Sequence, residues 1–166
     1  MKWFNLNEMK CKCCKRLPAD AWMYVEQLVD HVLDPVRAKL GKPIRVNSAY
    51  RCEKHNRQVG GAKNSQHLYG QAADIAAEHS GYANITAWKE ANREIARLII
   101  KNGQFDQLIL ENVGENDLLP QWVHVSYHPR LNRGQVLKKV AGKAGYTVVT
   151  KDEICQLLGD NFKVKG

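Results

Sequence analysis

The chain has 166 residues, of which 44% are hydrophobic and 25% charged, which predicts one globular domain over residues 1–166 that can bury a core without disulfides. It has no apolar run long enough to span a bilayer, and residues 1–10 lack the features of a secretory signal, so we expect a soluble protein made in the cytoplasm. The net charge of +8 predicts a polyanionic partner, but the basic residues are too dispersed to favour nucleic acid.

The N-terminal half begins with a predicted amphipathic helix over residues 17–42, in which Pro35 should cause a kink or a division. Residues 43–50 alternate apolar and polar side chains and predict a strand. The polar residues 51–65 predict a long loop, of the kind that often carries function. Residues 70–77 are small and apolar, which favours a buried strand.

The C-terminal half begins with a second predicted helix, capped by Asn84 or Thr86 and ending at Asn102 and Gly103. The further predicted elements are strands over 105–111 and 121–127, a short helix within 132–145, a strand over 146–150 and a closing helix over 151–160. This order predicts an α+β fold with a mainly antiparallel central sheet flanked by helices.

Three side chains of types that bind zinc lie on or beside the predicted strands: His67, Asp74 and His124. Catalytic zinc commonly takes three nitrogen or oxygen ligands and leaves a fourth position for water. Alternation along residues 121–127 places His124 opposite its valine neighbours, facing a cleft. Taken alone, each residue has a simpler interpretation: a hydrogen-bonded histidine, or an aspartate that ends a strand.

A longer pattern connects these residues. Ser65, His67, Gly70, Ala72 and Asp74 fit S-x-H-x-x-G-x-A-x-D, and the segment WVHVS fits its second half. On these residues the chain resembles the zinc D-alanyl-D-alanine carboxypeptidase family of murein peptidases, more closely its compact phage and prophage branch, over roughly residues 20–140. The resemblance implies the fold shared by hedgehog domains and D-Ala-D-Ala peptidases.

The resemblance also implies a division of roles. His67, Asp74 and His124 would bind one catalytic Zn²⁺, Arg51 would steady the developing oxyanion or a substrate carboxylate, and Ser65 would contact the peptide. The expected activity is hydrolysis of D-amino-acid-containing peptide bonds in peptidoglycan stem peptides, as a D,D-carboxypeptidase or an endopeptidase. The expected setting is the anionic cell wall, reached by a lysin after phage-type release.

One position departs from the family pattern. The dipeptidase and carboxypeptidase branches place a general-base carboxylate three residues before the last histidine, where this chain has Gln121, which cannot accept a proton at neutral pH. We predict that Glu111 replaces it, because a strand paired antiparallel with residues 121–127 would bring that carboxylate beside the metal. Glu115 and Asp117 are the alternatives, and His128 is a candidate proton donor to the intermediate.

The missing carboxylate also keeps open a second hypothesis. A catalytically weak or inactive zinc-binding module that recognises a wall peptide or a protein partner would tolerate Gln121.

The cysteines form a separate question. Five of them, an odd number without a regular framework, fit reduced thiols better than a disulfide scaffold. Cys11, Cys13 and Cys14 could hold a second metal, zinc or iron, but the cluster lacks the second half of a structural zinc signature. Either Cys52 or Cys155 would have to complete it. The alternatives are simple exposed or packed thiols, or a cysteine knuckle that binds nucleic acid.

Overall fold

The computed structural model describes residues 1–159, in which a six-stranded mixed sheet has the spatial order β1-β2-β4-β3-β5-β6. The strands are β1 (Ile44–Ser48), β2 (Ala72–Ala77), β3 (Gln107–Val113), β4 (Trp122–Ser126), β5 (Gln135–Val140) and β6 (Thr147–Val148). Neighbouring strands pair antiparallel except β3 and β5, which are parallel. The predicted α+β class with a mainly antiparallel sheet is confirmed.

Helices flank this sheet. They are α1 (Leu6–Met9), α2 (Ala19–Leu28), α3 (Asp34–Leu40), α4 (Glu53–Gln58), α5 (Ile85–Asn102) and α6 (Lys151–Leu158), with short π or 3₁₀ segments at Val29–Leu33, Gln66–Tyr69 and His79–Gly81. Helix α5 packs across β2, β3 and β4, and α3 packs against α5. Within residues 1–159, none of these helices combines the length and apolarity that a membrane span requires.

The first predicted helix is confirmed, and Pro35 divides it. A π-helical stretch, Val29–Leu33, joins α2 to α3, and the N–H of Asp34 bonds to the Val29 carbonyl five residues back. Because proline has no N–H, the His31 carbonyl loses its normal helical partner. The Asn102 side chain at the end of α5 donates to that carbonyl at 2.8 Å, so the tertiary structure satisfies the orphaned acceptor.

The second predicted helix is confirmed as α5, and its two ends have the predicted chemistry. The Asn84 side chain accepts from the N–H of Ala87, so Asn84 rather than Thr86 is the N-cap, and Gly103 closes the C-terminus in the left-handed conformation. Its buried Asn92 accepts from the N–H of Ala77 and donates to the carbonyl of Gln121 at 2.8 Å. Asn92 therefore ties the end of β2 to the segment that enters β4.

Two predictions for other parts of the chain, residues 51–65 and residues 132–145, were wrong. Residues 51–65 are not all loop, because they include α4. This helix is largely polar, and its buried Asn56 donates to the Ala62 carbonyl, which holds the helix against the loop that follows it. The short helix predicted within residues 132–145 is instead β5, with Val136 beside Leu108 and Lys138 beside Leu110. Pairing with the open edge of β3 outweighs the local helical preference, since strand formation depends on neighbouring strands.

The C-terminal elements agree in part with the prediction. Within residues 146–150 only Thr147–Val148 pairs as a strand, against β5. Helix α6 begins at a capping box in which Thr150 and Glu153 each bond to the other's backbone N–H. It ends at Leu158, and Asp160, the last residue of the predicted helix, lies outside the described residues.

Candidate metal centre

Two neighbouring strands and one tight turn bring the predicted ligands together. Asp74 of β2 lies directly opposite His124 of β4, and His67 lies in the 3₁₀ turn that precedes β2. Along β4 the buried Val123 and Val125 face the helices, so His124 faces the other side of the sheet, as its alternation predicted. The antiparallel register thus decides which two side chains meet.

The three donor atoms form a nearly equilateral triangle. His67 Nε2 lies 3.2 Å from His124 Nδ1 and 3.3 Å from Asp74 Oδ1, and His124 Nδ1 lies 3.0 Å from the same oxygen. In a tetrahedral zinc site with metal–ligand bonds of about 2.0–2.1 Å, two ligands are separated by about 3.3 Å. The triangle therefore has the size of one face of a zinc tetrahedron, and the donor set fits the metal.

The buried His67 is oriented for this role by its second nitrogen. His67 Nδ1 lies 2.6 Å from the Ala49 carbonyl oxygen, which can only accept, so Nδ1 carries the proton and the Nε2 lone pair faces the triangle. Burial lowers the pKa of His67, which keeps the imidazole neutral. A neutral imidazole with a fixed tautomer is the form that binds a metal ion.

Asp74 divides its two oxygens between different partners. Oδ1 faces the two histidines, whereas Oδ2 forms an ion pair with the Arg51 guanidinium, whose Nε donates to Ser48 Oγ at 2.8 Å. Burial by itself would raise the pKa of Asp74, but the hydrogen bond with His124 holds it well below its usual range. The carboxylate is therefore ionised, and Arg51 contacts a candidate metal ligand as well as the cleft.

A cleft of about 760 Å³ opens onto this triangle. Its floor is the sheet face that carries Ile109, Glu111 and Leu137 from β3 and β5, alongside Trp122 and His124 from β4. Its rim includes the loop that follows α4 and the predicted substrate contact Ser65. Arg51 and Arg133 give the cleft wall two permanent positive charges.

Glu111 lies in the cleft on the same face as His124, because the β3–β4 register pairs it with Trp122. Among residues 1–159, Asp74 is the other carboxylate in the cleft lining. Burial raises the pKa of Glu111, and the negative charge of Asp74 adds to that effect while the positive charges nearby oppose it. The cleft thus holds the ionised carboxylate of Asp74 and the carboxylate of Glu111, which binds a proton more readily than an ordinary glutamate does.

The alternative acid–base groups lie outside the cleft lining. The exposed Glu115 pairs with Lys143, and Asp117 accepts from the N–H groups of Gly114 and Leu119. His128 Nδ1 accepts from the N–H of Arg130 in a turn.

Gln121, which occupies the position of the family's base, is also absent from the lining. Its N–H donates to the Glu111 carbonyl at 2.9 Å.

Two titratable residues of the cleft lining, Tyr146 and Arg133, were not identified as site residues from the sequence. Tyr146 follows β5 and lines the cleft, and burial together with the negative charges of Glu111 and Asp74 raises its pKa. Arg133 is held by Asp106, which it meets with Nε at 2.8 Å and Nη2 at 2.7 Å. Neither residue belongs to a local motif, so only the folding of β5 beside β3 brings them to the site.

The sequence of the chain is similar to a known family of proteins. A family model described as Peptidase M15 matches residues 2–105, well over half of the chain. A 51-residue stretch, 30% of this chain, is 47% identical to the zinc D-Ala-D-Ala carboxypeptidase of Streptomyces albus G, but it spans only 20% of that protein. The crystal structure of the L-Ala D-Glu endopeptidase ChiX of Serratia marcescens aligns with a TM-score of 0.42 at 19% identity, covering 69% of this chain and 91% of that one.

Proposed function

Since the chain belongs to the M15 peptidase family, we propose that it is a zinc metallopeptidase that hydrolyses D-amino-acid-containing peptide bonds in peptidoglycan stem peptides. The observation that carries this proposal is the triangle of His67, Asp74 and His124 at the floor of a cleft, with donor spacings that fit tetrahedral zinc. The substrate class is suggested by the name of the Streptomyces relative.

In this proposal His67, Asp74 and His124 would hold one Zn²⁺ at the cleft, where water and substrate have access. When bound there, zinc supplies a Lewis acid that polarises a carbonyl and lowers the pKa of water. The hydrogen bond from His67 to Ala49 and the ion pair from Arg51 to Asp74 keep two of the ligands in place before the metal arrives.

Glu111 acts as the general base that Gln121 cannot be. Its carboxylate accepts a proton from the attacking water and passes it to the leaving amine. Two observations support this role: Glu111 shares the sheet face of His124, and burial raises the pKa of Glu111 toward the range in which a base can also return its proton.

Arg51 and Ser65 position the substrate. Arg51 donates from Nη2 to Asp74 and from Nε to Ser48. It also lines the cleft, where its permanent charge suits a carboxylate of the stem peptide or a developing oxyanion. Ser65 lines the same rim, within reach of an extended peptide. Whether the enzyme removes a terminal residue or cuts within the stem depends on these cleft ends.

The place of action in this proposal is the cell wall, in a lysin-like role of the phage or prophage type. The net charge of +8 is suited to holding the protein on an anionic envelope.

The decisive experiment incubates the zinc-loaded protein with purified muropeptides and analyses the products by mass spectrometry. We expect products that have gained one water at a bond next to a D-amino acid. The Glu111→Gln variant should keep its zinc and lose about 10²–10⁴-fold in rate, because it retains the ligands but cannot accept the proton. Glu115→Gln is the matched control, since Glu115 is exposed and outside the cleft.

Two results would contradict the proposal. Intact muropeptides after incubation with the zinc-loaded parent protein would favour the alternative function, a zinc-binding module that recognises a wall peptide or a protein partner. An unchanged rate in Glu111→Gln would remove Glu111 from the mechanism.

A further inference from the structure

A second group of potential metal ligands lies outside the cleft. Cys11, Cys13 and Cys14 meet Cys52, which is about 40 residues away in sequence, and one sulfur from each lies within 4.8 Å of all the others. Cys11 is buried, Cys52 is half-buried, and Cys13 and Cys14 are exposed. Within residues 1–159, the fifth cysteine, Cys155 of α6, is not part of this cluster.

The sulfur spacings fit a metal rather than a covalent bond. Cys13 Sγ lies 3.4 Å from Cys52 Sγ and 3.7 Å from Cys11 Sγ. In a tetrahedral site with zinc–sulfur bonds of about 2.3 Å, two sulfurs are separated by about 3.8 Å, whereas a disulfide needs about 2.0 Å. Two of the sulfur separations are therefore close to those that one tetrahedral ion requires, and all four sulfurs lie within 4.8 Å of one another.

The backbone around the cluster is folded as a closed turn. The N–H of Cys11 bonds to the Arg16 carbonyl and that of Lys15 bonds back to the Cys11 carbonyl, with Lys15 in the left-handed conformation. The N–H of Cys52 points at Cys11 Sγ at 3.4 Å. A turn that brings several sulfurs together and directs an N–H at one of them is suited to hold thiolates.

We propose that Cys11, Cys13, Cys14 and Cys52 bind one structural Zn²⁺, separate from the zinc of the cleft. An all-sulfur tetrahedral set selects zinc or iron, and four protein ligands leave no open position, which is the arrangement of structural rather than catalytic zinc. The sequence pattern lacked the second half of the signature because Cys52 reaches the cluster only through the fold.

The ion would fasten the N-terminal segment to the chain that supports the catalytic site. Cys52 directly follows Arg51, and the N–H of the preceding Tyr50 bonds to the Met9 carbonyl. The same short segment contacts His67 twice, through the Ala49 carbonyl and through the N–H of Arg51. The four cysteines are therefore positioning residues for Arg51 and His67, and they take no part in the chemistry.

The first test is metal content, measured by mass spectrometry for the reduced, full-length protein and three variants. The parent protein and the control Cys155→Ser should bind two zinc ions. The Cys13→Ser/Cys52→Ser double variant and His124→Ala should each bind one. With cobalt in place of zinc, thiolate charge-transfer absorption should persist in His124→Ala and vanish in the double variant.

These variants separate the two metal sites. One zinc ion in the parent protein that is lost in His124→Ala but retained in the double variant would overturn the cysteine site and leave the proposed function intact. One zinc ion that is lost in the double variant but retained in His124→Ala would support the cysteine site and contradict the zinc of the cleft.

A second measurement needs no variant and so does not depend on whether the double variant folds. Titrating the native zinc protein with an organomercurial thiol reagent should release one zinc ion as the four clustered thiols react. Release of no zinc, iron in place of zinc, or a mass two hydrogens lighter that marks a disulfide would each overturn the proposal.

Discussion

Two carboxylates in one cleft differ in protonation behaviour because their surroundings differ. Asp74 is buried but forms a hydrogen bond with His124 and an ion pair with Arg51, and its pKa lies well below its usual range. Glu111 is half-buried and has no comparable hydrogen bond within residues 1–159, and partial burial raises its pKa. Such a pair of oppositely shifted groups is typical of sites in which one carboxylate binds and the other transfers protons.

This contrast predicts the acid limb of the pH profile. Glu111 must be deprotonated to accept a proton, and burial raises its pKa, so kcat/KM should fall as the pH drops through a pKa above that of an ordinary glutamate. Steady-state rates from acid to neutral pH, with zinc content measured at each point, check this. An identical acid limb in the residual activity of Glu111→Gln would assign the titration to another group.

At the scale of elements, one glycine joins the motif to the helical layer. Gly70 ends the 3₁₀ turn that carries His67 and has a φ of +74°, in the left-handed region. A Cβ at this position would lie 2.4 Å from the Ala21 carbonyl oxygen of α2, a backbone atom that cannot give way easily. The small residues of the motif therefore serve close packing, which places His67 against the sheet.

The consequence is a specific loss of stability. Gly70→Ala should reduce the free energy of unfolding by about 2–4 kcal/mol, because it combines backbone strain with overpacking. Gly142→Ala is the matched control, since its φ is also +74° but nothing lies within 4 Å of the added methyl group, so it should cost only the strain. Denaturant unfolding of both variants measures the difference, and equal losses would contradict the packing argument.

At the scale of the whole molecule, the positive net charge bears on how the protein would bind an anionic cell envelope. The net charge is +8, so the overall field favours negatively charged material, whereas in the cleft Arg51 and Arg133 are already ion-paired with Asp74 and Asp106. The overall field is screened over about 10 Å at 0.1 M salt, whereas contacts inside the cleft are screened less. Capture by the envelope and recognition of a peptide should therefore respond differently to salt.

This difference predicts salt-sensitive attachment to cell walls. The fraction of protein that sediments with purified wall sacculi should fall steeply as salt is raised, because dispersed surface charges lose their attraction. Glu111→Gln should show the same salt dependence, since it leaves the proposed metal ligands and the distributed basic charge in place. Sedimentation that is independent of salt would show that charge does not hold the protein on the wall.

The fold was predictable wherever a short stretch of sequence carries its own signal. Asn84 and Gly103 mark the ends of α5, and strict alternation in β4 placed His124 on the cleft side. Helix α4 and strand β5 were missed, because the first is polar and held by buried Asn56, and the second exists only through its pairing with β3. The resemblance to M15 peptidases was confirmed, whereas the roles assigned to Arg51, Ser65 and Glu111 stay predictions.

By itself the sequence determined the helical and strand periodicities, the helix caps, the family and the three side chains proposed to bind zinc. These depend on patterns within short stretches of sequence, where the conformational and chemical preferences of each residue type are enough to predict the outcome. Only the tertiary structure decided that Glu111 lies in the cleft while Gln121 does not, that Tyr146 reaches the rim, and that Cys52 completes the cysteine cluster. Those outcomes depend on strand register and on contacts between distant parts of the chain, which no local pattern specifies.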